Sequence, residues 1–170
     1  MRAIRSMRMM MATTLALALA ACNGAKSGAD SSSGGAAADS TVPLSVRSYS
    51  RVCANCHLDT GKGMVPAYRS LIGSAWATGS VDRVVAIVLF GVQAPVKDSA
   101  YTYYTAMLPY GSGAKMSDEE AAAAITHVRT SWGNSASPVT AADVARVRAR
   151  FATRTTGFTQ AELDSWSDLP

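Results

Sequence analysis

The sequence predicts an all-α fold, and three observations carry that reading. Val81, Val84, Val85, Val88 and Leu89 recur at i, i+3, i+4, i+7 and i+8, one complete apolar face of a helix. Ser117-Asp118-Glu119-Glu120 sets Ser at an N-cap and Glu at N3, a capping box before a second apolar series of Ala121, Ala124, Ile125, Val128 and Trp132. Thr140 and Thr159 repeat the start signal, with Asp143 and Glu162 three positions on. The 170 residues suffice for one modest domain with tails. Hydrophobic residues make up 48%, but alanine inflates that figure and only 7% are aromatic. Side chains alone would build a thin core, which suits a small helical domain packed around an apolar cofactor.

In chain order, Arg2, Arg5 and Arg8 form a basic start to the apolar run Met9 to Ala21. That run is too short to span a bilayer and ends in small residues, as a secretory signal does. Its end, Leu19-Ala20-Ala21-Cys22, resembles a bacterial lipobox, in which cleavage before the cysteine leaves it N-terminal and lipidated. Residues 1–21 are therefore expected to be a lipoprotein signal peptide and Cys22 the lipidation site. The competing reading is an ordinary signal peptide with an incidental cysteine nearby. Several acyl chains on one residue anchor a protein stably, where one chain is marginal. Asn23, in place of an aspartate, resembles the outer-membrane default among such lipoproteins. Residues 22–41 are Gly, Ser and Ala with isolated charges, a flexible tether with a root-mean-square reach of roughly 25 Å. Setting aside Arg2, Arg5 and Arg8 leaves 13 of the 16 basic residues against 12 acidic ones, so the stated charge of +4 overstates the mature protein. Nothing in this balance points to nucleic acid.

The expected domain spans residues 42–138. Leu44, Val46, Tyr49 and Val52 mark a short helix that runs into Cys53-Ala54-Asn55-Cys56-His57. This is C-x-x-C-H, the pattern at which a c-type haem is attached. Two thiols at this spacing each form a thioether to a haem vinyl group, and the next residue, an imidazole, becomes an axial ligand of the iron. A zinc site would need a second ligand pair, and the remaining candidates are Cys22 and His127. A redox dithiol would need a βαβ context, for which the pattern gives no sign. Leu58 to Ser80 reads as a loop around one haem edge, with Gly61 and Gly63 permitting a tight turn behind the histidine. Val81 to Gly91 is the clearest helix, with Asp82 in its first turn and Gly91 at its end.

Met107-Leu108-Pro109-Tyr110-Gly111 holds a methionine in a turn, where the second axial ligand is expected. A thioether suits Fe(II), so His/Met coordination raises the reduction potential relative to two imidazoles. Met116 is the rival, although it precedes a helix N-cap, where an apolar residue often packs as a staple. Met64 stands too close behind His57 to cross easily to the other haem face. His127 is the alternative that would give a bis-histidine haem of lower potential.

Residues from about 42 to 148 resemble a class I cytochrome c domain. More narrowly, they resemble the monohaem domains in cytochrome subunits of bacterial membrane-bound alcohol and sugar dehydrogenases. The stretches that carry the resemblance are Cys53 to His57 with Gly61-Lys62-Gly63, then Leu71-Ile72-Gly73-Ser74, Val81 to Val85, and Val88 to Val92. Met107 to Gly111, Met116 to Glu120, and Val128-Arg129-Thr130-Ser131-Trp132-Gly133-Asn134 complete them. The resemblance implies a cytochrome c-like fold around one covalent haem c. Cys53 and Cys56 are then the thioether sites, and His57 and Met107 the axial ligands. Three departures stand out. Arg69-Ser70 replace a Pro-Pro pair whose backbone carbonyl fixes the ligand histidine. Met-Leu-Pro replaces Met-Pro. Phe90 stands where relatives often carry histidine.

Residues 139–170 are expected to be a C-terminal helical extension. Val144, Val147 and Phe151 mark one helix face, and Leu163 and Trp166 follow the last start signal. Arg146, Arg148, Arg150 and Arg154 read either as a solvated face or as a docking patch for an acidic partner. Together these readings describe a lipid-anchored cytochrome on the periplasmic face of a bacterial membrane, the outer membrane being favoured. It passes single electrons between a dehydrogenase-type donor and a respiratory acceptor such as an oxidase complex. No acid–base pair or nucleophile constellation is visible, so no catalytic turnover is expected. The alternative is a haem enzyme or a gas or peroxide sensor whose methionine is labile or absent from the iron.

Overall fold

The computed structural model describes residues 41–110 and 116–166. The expected signal segment 1–21, Cys22 and the tether as far as residue 40 lie outside the described residues. Among the described residues no helix is long and apolar enough to cross a membrane.

Helix α1 (Leu44–Val52) begins after Pro43, whose fixed φ suits a helix start, and it buries Ser48, Tyr49 and Val52. One residue on, the short α2 (Ala54–His57) carries the motif, and Leu58 stops it with a φ of 59°. The next stretch, expected to be loop, contains a further turn of helix, α3 (Ala75–Thr78). Helix α4 (Val81–Phe90) starts at Ser80, whose hydroxyl accepts the Arg83 backbone N–H, and stops at Gly91. Every residue of α4 from Val84 to Leu89 is buried, more than the single apolar face the period describes. The reason is that α3, α5 and α6 pack around it.

A short two-stranded antiparallel hairpin is added to the expected helical fold. Strand β1 (Val96–Lys97) pairs with β2 (Thr102–Tyr103), Val96 opposite Tyr103. Two-residue strands have no room for an alternating pattern. The hairpin is held by Asp98, whose Oδ1 accepts the N–H groups of Ala100 at 2.9 Å and Tyr101 at 2.8 Å.

Helix α5 (Asp118–Thr130) has both halves of its expected capping box. It ends two residues before Trp132, because Ser131 is extended and Trp132 adopts a φ of 55°. The most extensive helix–helix packing among the described residues joins α1 to α5. Ala121, Ala122, Ala124 and Ser48 are buried in this region, and their short side chains permit close approach.

Helices α6 (Ala141–Arg150) and α7 (Gln160–Asp164) begin with the boxes expected at Thr140 and Thr159. The segment expected as an extension is not an appendage. Val144, Val147, Phe158 and Leu163 are buried in the same cluster as Val84 to Leu89. Each fully buried aliphatic side chain of this kind contributes about 1.5–3 kcal/mol of transfer free energy. Three of its four arginines pair with acidic side chains, while Arg150 is exposed with its guanidinium over the Phe151 ring. Arg146 pairs with Asp82 and Asp143, Arg148 with Asp118, and Arg154 with Glu162. The face is solvated at Arg146 and Arg150, as one of the two sequence readings has it, and Arg146 and Arg148 also tie α6 to α4 and α5.

Candidate functional site

One side of the site is built from α1, α2 and the loop behind them. The α2 helix puts Cys53, Cys56 and His57 within a single turn. His57 Nδ1 donates to the carbonyl of Arg69 at 2.9 Å, so the ring's proton sits on Nδ1 and the Nε2 lone pair is left for a metal. The role expected for Arg69 or Ser70 thus falls to Arg69. The loop that delivers this carbonyl is pinned twice, by Gly63 N–H to His57 O at 3.0 Å and Leu71 N–H to Gly61 O at 2.8 Å. Gly63 has a φ of 66°, and a Cβ there would stand 2.5 Å from the Arg69 carbonyl oxygen. Only glycine lets that oxygen reach the imidazole. Tyr49 of α1 closes the turn by donating to Leu58 O at 2.7 Å.

The other side is the segment after β2. Met107 N–H donates to Val92 O and Val92 N–H to Met107 O, both at 3.0 Å, and Tyr110 N–H donates to Val88 O at 3.0 Å. These bonds hang the methionine loop on the end of α4. Gly91, with a φ of 78°, lets the strand after α4 pass against this loop; a Cβ there would run into the Met107 carbonyl.

Between the two sides lies a cavity of about 320 Å³. Cys53, Cys56, His57 and Met107 all line it, with Val52, Val84, Ile87, Val88, Ile125 and Val128 among its apolar walls. Arg69 is the one lysine or arginine lining it among the described residues. Its guanidinium lies 4.6 Å from the Trp76 ring centroid and 5.6 Å from that of Tyr103, with Asp98 at 3.8 Å. The electrostatics suit an uncharged attachment site. Burial lowers the His57 pKa, with the Arg69 carbonyl acting in the opposite direction, so the imidazole stays neutral and fit to ligate. Burial pushes the Cys53 thiol up to about 12, the reverse of a reactive dithiol's low value. Among the described residues no three His, Cys, Asp or Glu side chains gather to hold a metal ion. Two thiols one helical turn apart, a tautomer-fixed imidazole and a thioether around an apolar slot fit a covalently bound haem.

The rival ligands stand elsewhere. Met116 is 4% exposed in the core outside the cavity lining, and Met64 is 42% exposed. His127 packs against Tyr49 and Trp132 with ring centroids at 4.9 and 5.2 Å. Phe90, at a position often histidine in relatives, packs edge-on against Phe151 and Phe158 of the C-terminal segment. Two residues that shape the site carried no local signal. Arg129 is buried and donates to the carbonyls of Ala77, Gly79 and Ser137. Asn134 holds the loop after Arg69 through Gly73 N–H and Leu71 O. Both fall in a stretch quoted for the family resemblance, which was the one available pointer.

Residues 45–128 match the family described as "Cytochrome C oxidase, cbb3-type, subunit III". Cytochrome c-552 of Thermus thermophilus is 30% identical over 107 residues, covering 58% of this chain and 79% of that protein. A second cytochrome c-552, from a culture-collection strain of the same species, is also 30% identical over 107 residues, covering 58% of this chain and 70% of its own. The family match ends at 128, before α6 and α7.

Proposed function

The chain belongs to the c-type cytochromes, and we propose that it is a lipid-anchored periplasmic carrier between a dehydrogenase-type donor and a respiratory acceptor. Its family makes it an electron-transfer protein with covalently bound haem c, and the single C-x-x-C-H motif makes it a monohaem one. When bound, the haem supplies one-electron Fe(III)/Fe(II) cycling. The chain's own residues do the rest. Cys53 and Cys56 hold the group through thioethers. His57 offers Nε2 to the iron while Arg69 O fixes the ring. Met107 offers its sulfur from the opposite segment, and the apolar walls keep water away. Arg69, a cation on the cavity lining, would be available to a haem carboxylate. The observation that supports this set is that Cys53, Cys56, His57 and Met107 line one cavity, with Met116, Met64 and His127 outside it.

Leu108 is 61% exposed beside cavity-lining Thr105 and Ala106, which supports a docking edge of apolar character there. The family's description as an oxidase subunit supports an oxidase on the acceptor side. The lipid anchor rests on Leu19-Ala20-Ala21-Cys22 alone.

Visible spectroscopy of the holoprotein tests the ligand set. A low-spin ferric spectrum with the weak Fe(III)–thioether band, and no CO shift on reduction, is expected. Met107→Ala should abolish the band and lower the potential. An unchanged spectrum in that variant refutes Met107 as ligand, and ready CO binding by the parent protein turns the reading toward a gas or peroxide sensor. For the anchor, Cys22→Ser should release the protein from membranes; continued attachment refutes lipidation.

A further inference from the structure

The segment beyond the family match reaches back to the methionine loop. Val92, which pairs with Met107 on one side, pairs in parallel with Phe158 on the other. Phe158 N–H donates to Gly91 O at 2.9 Å, and Gln93 N–H donates to Phe158 O at 2.8 Å. Side chains lengthen this seam. Gln93 Nε2 donates to Gly157 O at 2.6 Å, and the Gln160 amide both accepts from Lys97 N–H and donates to Lys97 O, each at 2.7 Å. The approach is close at Gly157, where a Cβ would stand 3.2 Å from the Gly91 carbonyl carbon and 3.3 Å from Gln93 N and crowd the seam. Phe158 is 3% exposed, packed on Phe151 at 5.2 Å with Arg154 over its ring at 3.7 Å.

The methionine loop itself is a thin partition. Ala106, Met107 and Leu108 line the cofactor cavity on one face and a second cleft on the other, whose far wall includes Arg148, Arg154 and Gly157. Met107 and Tyr110 pack against the core cluster at the loop's ends, and between the two cavities the backbone ladder through Val92 adds the hold. A ladder of two short segments is weak; a third strand on the far side of Val92 fixes it.

We propose that residues 157–160 are a brace that positions Met107, so that the C-terminal segment sets how firmly the sixth ligand stays on the iron. This rests on the reading of Met107 as that ligand. Gly157, Phe158 and Gln160 are positioning residues, and none of them lines the cofactor cavity.

The test uses full-length holoprotein, comparing the parent with Gly157→Val and with the double variant Gln93→Ala/Gln160→Ala. The double variant removes only solvent-facing side-chain bonds and leaves the core intact. Three readouts are followed: far-UV circular dichroism, the Fe(III)–thioether band through a denaturant titration, and imidazole binding to the ferric protein. Imidazole binds only where the methionine is off, so its apparent affinity reports that population. With the brace loosened, imidazole should bind about tenfold more tightly, as the detached population rises by the same factor. The band should also be lost at lower denaturant than the helical signal. Parental imidazole affinity with coincident transitions in both variants overturns the brace while the band is present. A parent protein with no band overturns the Met107 reading itself. Should Gly157→Val fail to fold, Gly157→Ala, whose Cβ would crowd the same Gly91 and Gln93 backbone atoms, takes its place beside the double variant.

Discussion

The two sides of the cofactor cavity are built on opposite plans. The histidine side is local. Cys53, Cys56, His57 and the Arg69 carbonyl that fixes the ring all lie within a short run of chain, and the longest bond in that set spans 12 positions. The methionine side is assembled from afar, where residues 91–93, 107–110 and 157–160 meet through backbone hydrogen bonds. Each side relies on a glycine of positive φ whose missing Cβ makes room for a carbonyl, Gly63 for Arg69 and Gly91 for Met107. Covalent attachment and a tautomer-fixed imidazole make the first side permanent. The second is held by long-range backbone contacts, and under the proposed ligation it is there that ligand strength would be set.

The largest effect should come from the core that joins both sides. Leu163 lies in the short last helix, outside the family match, yet it is fully buried. Leu163→Ala should cost about 2–5 kcal/mol from lost burial and the cavity left behind. Because its cluster includes Val84, Leu89 and Ile125, a single cooperative transition is expected in denaturant. Two resolved transitions would mean that the C-terminal segment is a separate unit and that the contrast lies between domains rather than between walls.

Next in size, the two glycines separate the walls. Gly63→Val and Gly91→Val should each cost about 2–4 kcal/mol through overpacking and backbone strain. Their spectra should differ. Gly91→Val should lose the thioether band and bind CO when reduced. Gly63→Val should keep the band but lower the yield of covalently loaded protein, since the carbonyl that orients His57 is displaced. Identical phenotypes would dissolve the distinction.

The same contrast explains what was legible in the sequence. On the histidine side the motif and the turn behind it were legible, because they sit in one pentapeptide and a few following residues, while the choice of the Arg69 carbonyl and the α3 turn were not. The α4 and α5 helices were readable from period and capping, which are properties of neighbouring residues. The hairpin was missed because Asp98 organises a turn between strands too short to show alternation. The partnership of Val92 with Phe158 was not readable at all, since a parallel bridge across 66 positions leaves no local signature. Arg129 was hidden for a related reason: its partners are backbone carbonyls, which any residue supplies. Arg129→Met should orphan the carbonyls of Ala77, Gly79 and Ser137 and cost about 1–3 kcal/mol. That loss falls on α3, whose Trp76 stacks on Arg69, so calorimetry should show the cost while the thioether band of the native protein persists.

The smallest effect, and the one most specific to the methionine side, is an acid response. Glu162 caps α7 and sits at the end of the brace. Hydrogen bonds from Arg154, and then from the Thr159 backbone N–H, hold its pKa down to about 2. Asp143 is held at about 2 by the Thr140 hydroxyl and backbone N–H and by Arg146. An unfolded glutamate titrates near ~4.3 and an aspartate near ~3.9. The folded values lie below these, so the stabilisation is complete above about pH 5 and is lost as pH falls toward 2. Both carboxylates lie at the surface, so the effect is modest and screened by salt. Imidazole affinity should therefore rise as pH falls from about 5 toward 2, once the protonation of imidazole itself is allowed for. Glu162→Gln removes one of the two titrations and keeps the side-chain shape. At pH 7 it should already show part of the acid-loosened affinity, and its remaining pH dependence should be shallower. An acid profile unchanged by Glu162→Gln would mean that the charge on α7 does not hold the brace, leaving its backbone bonds and the Gln93 and Gln160 amides as what keeps Met107 in place.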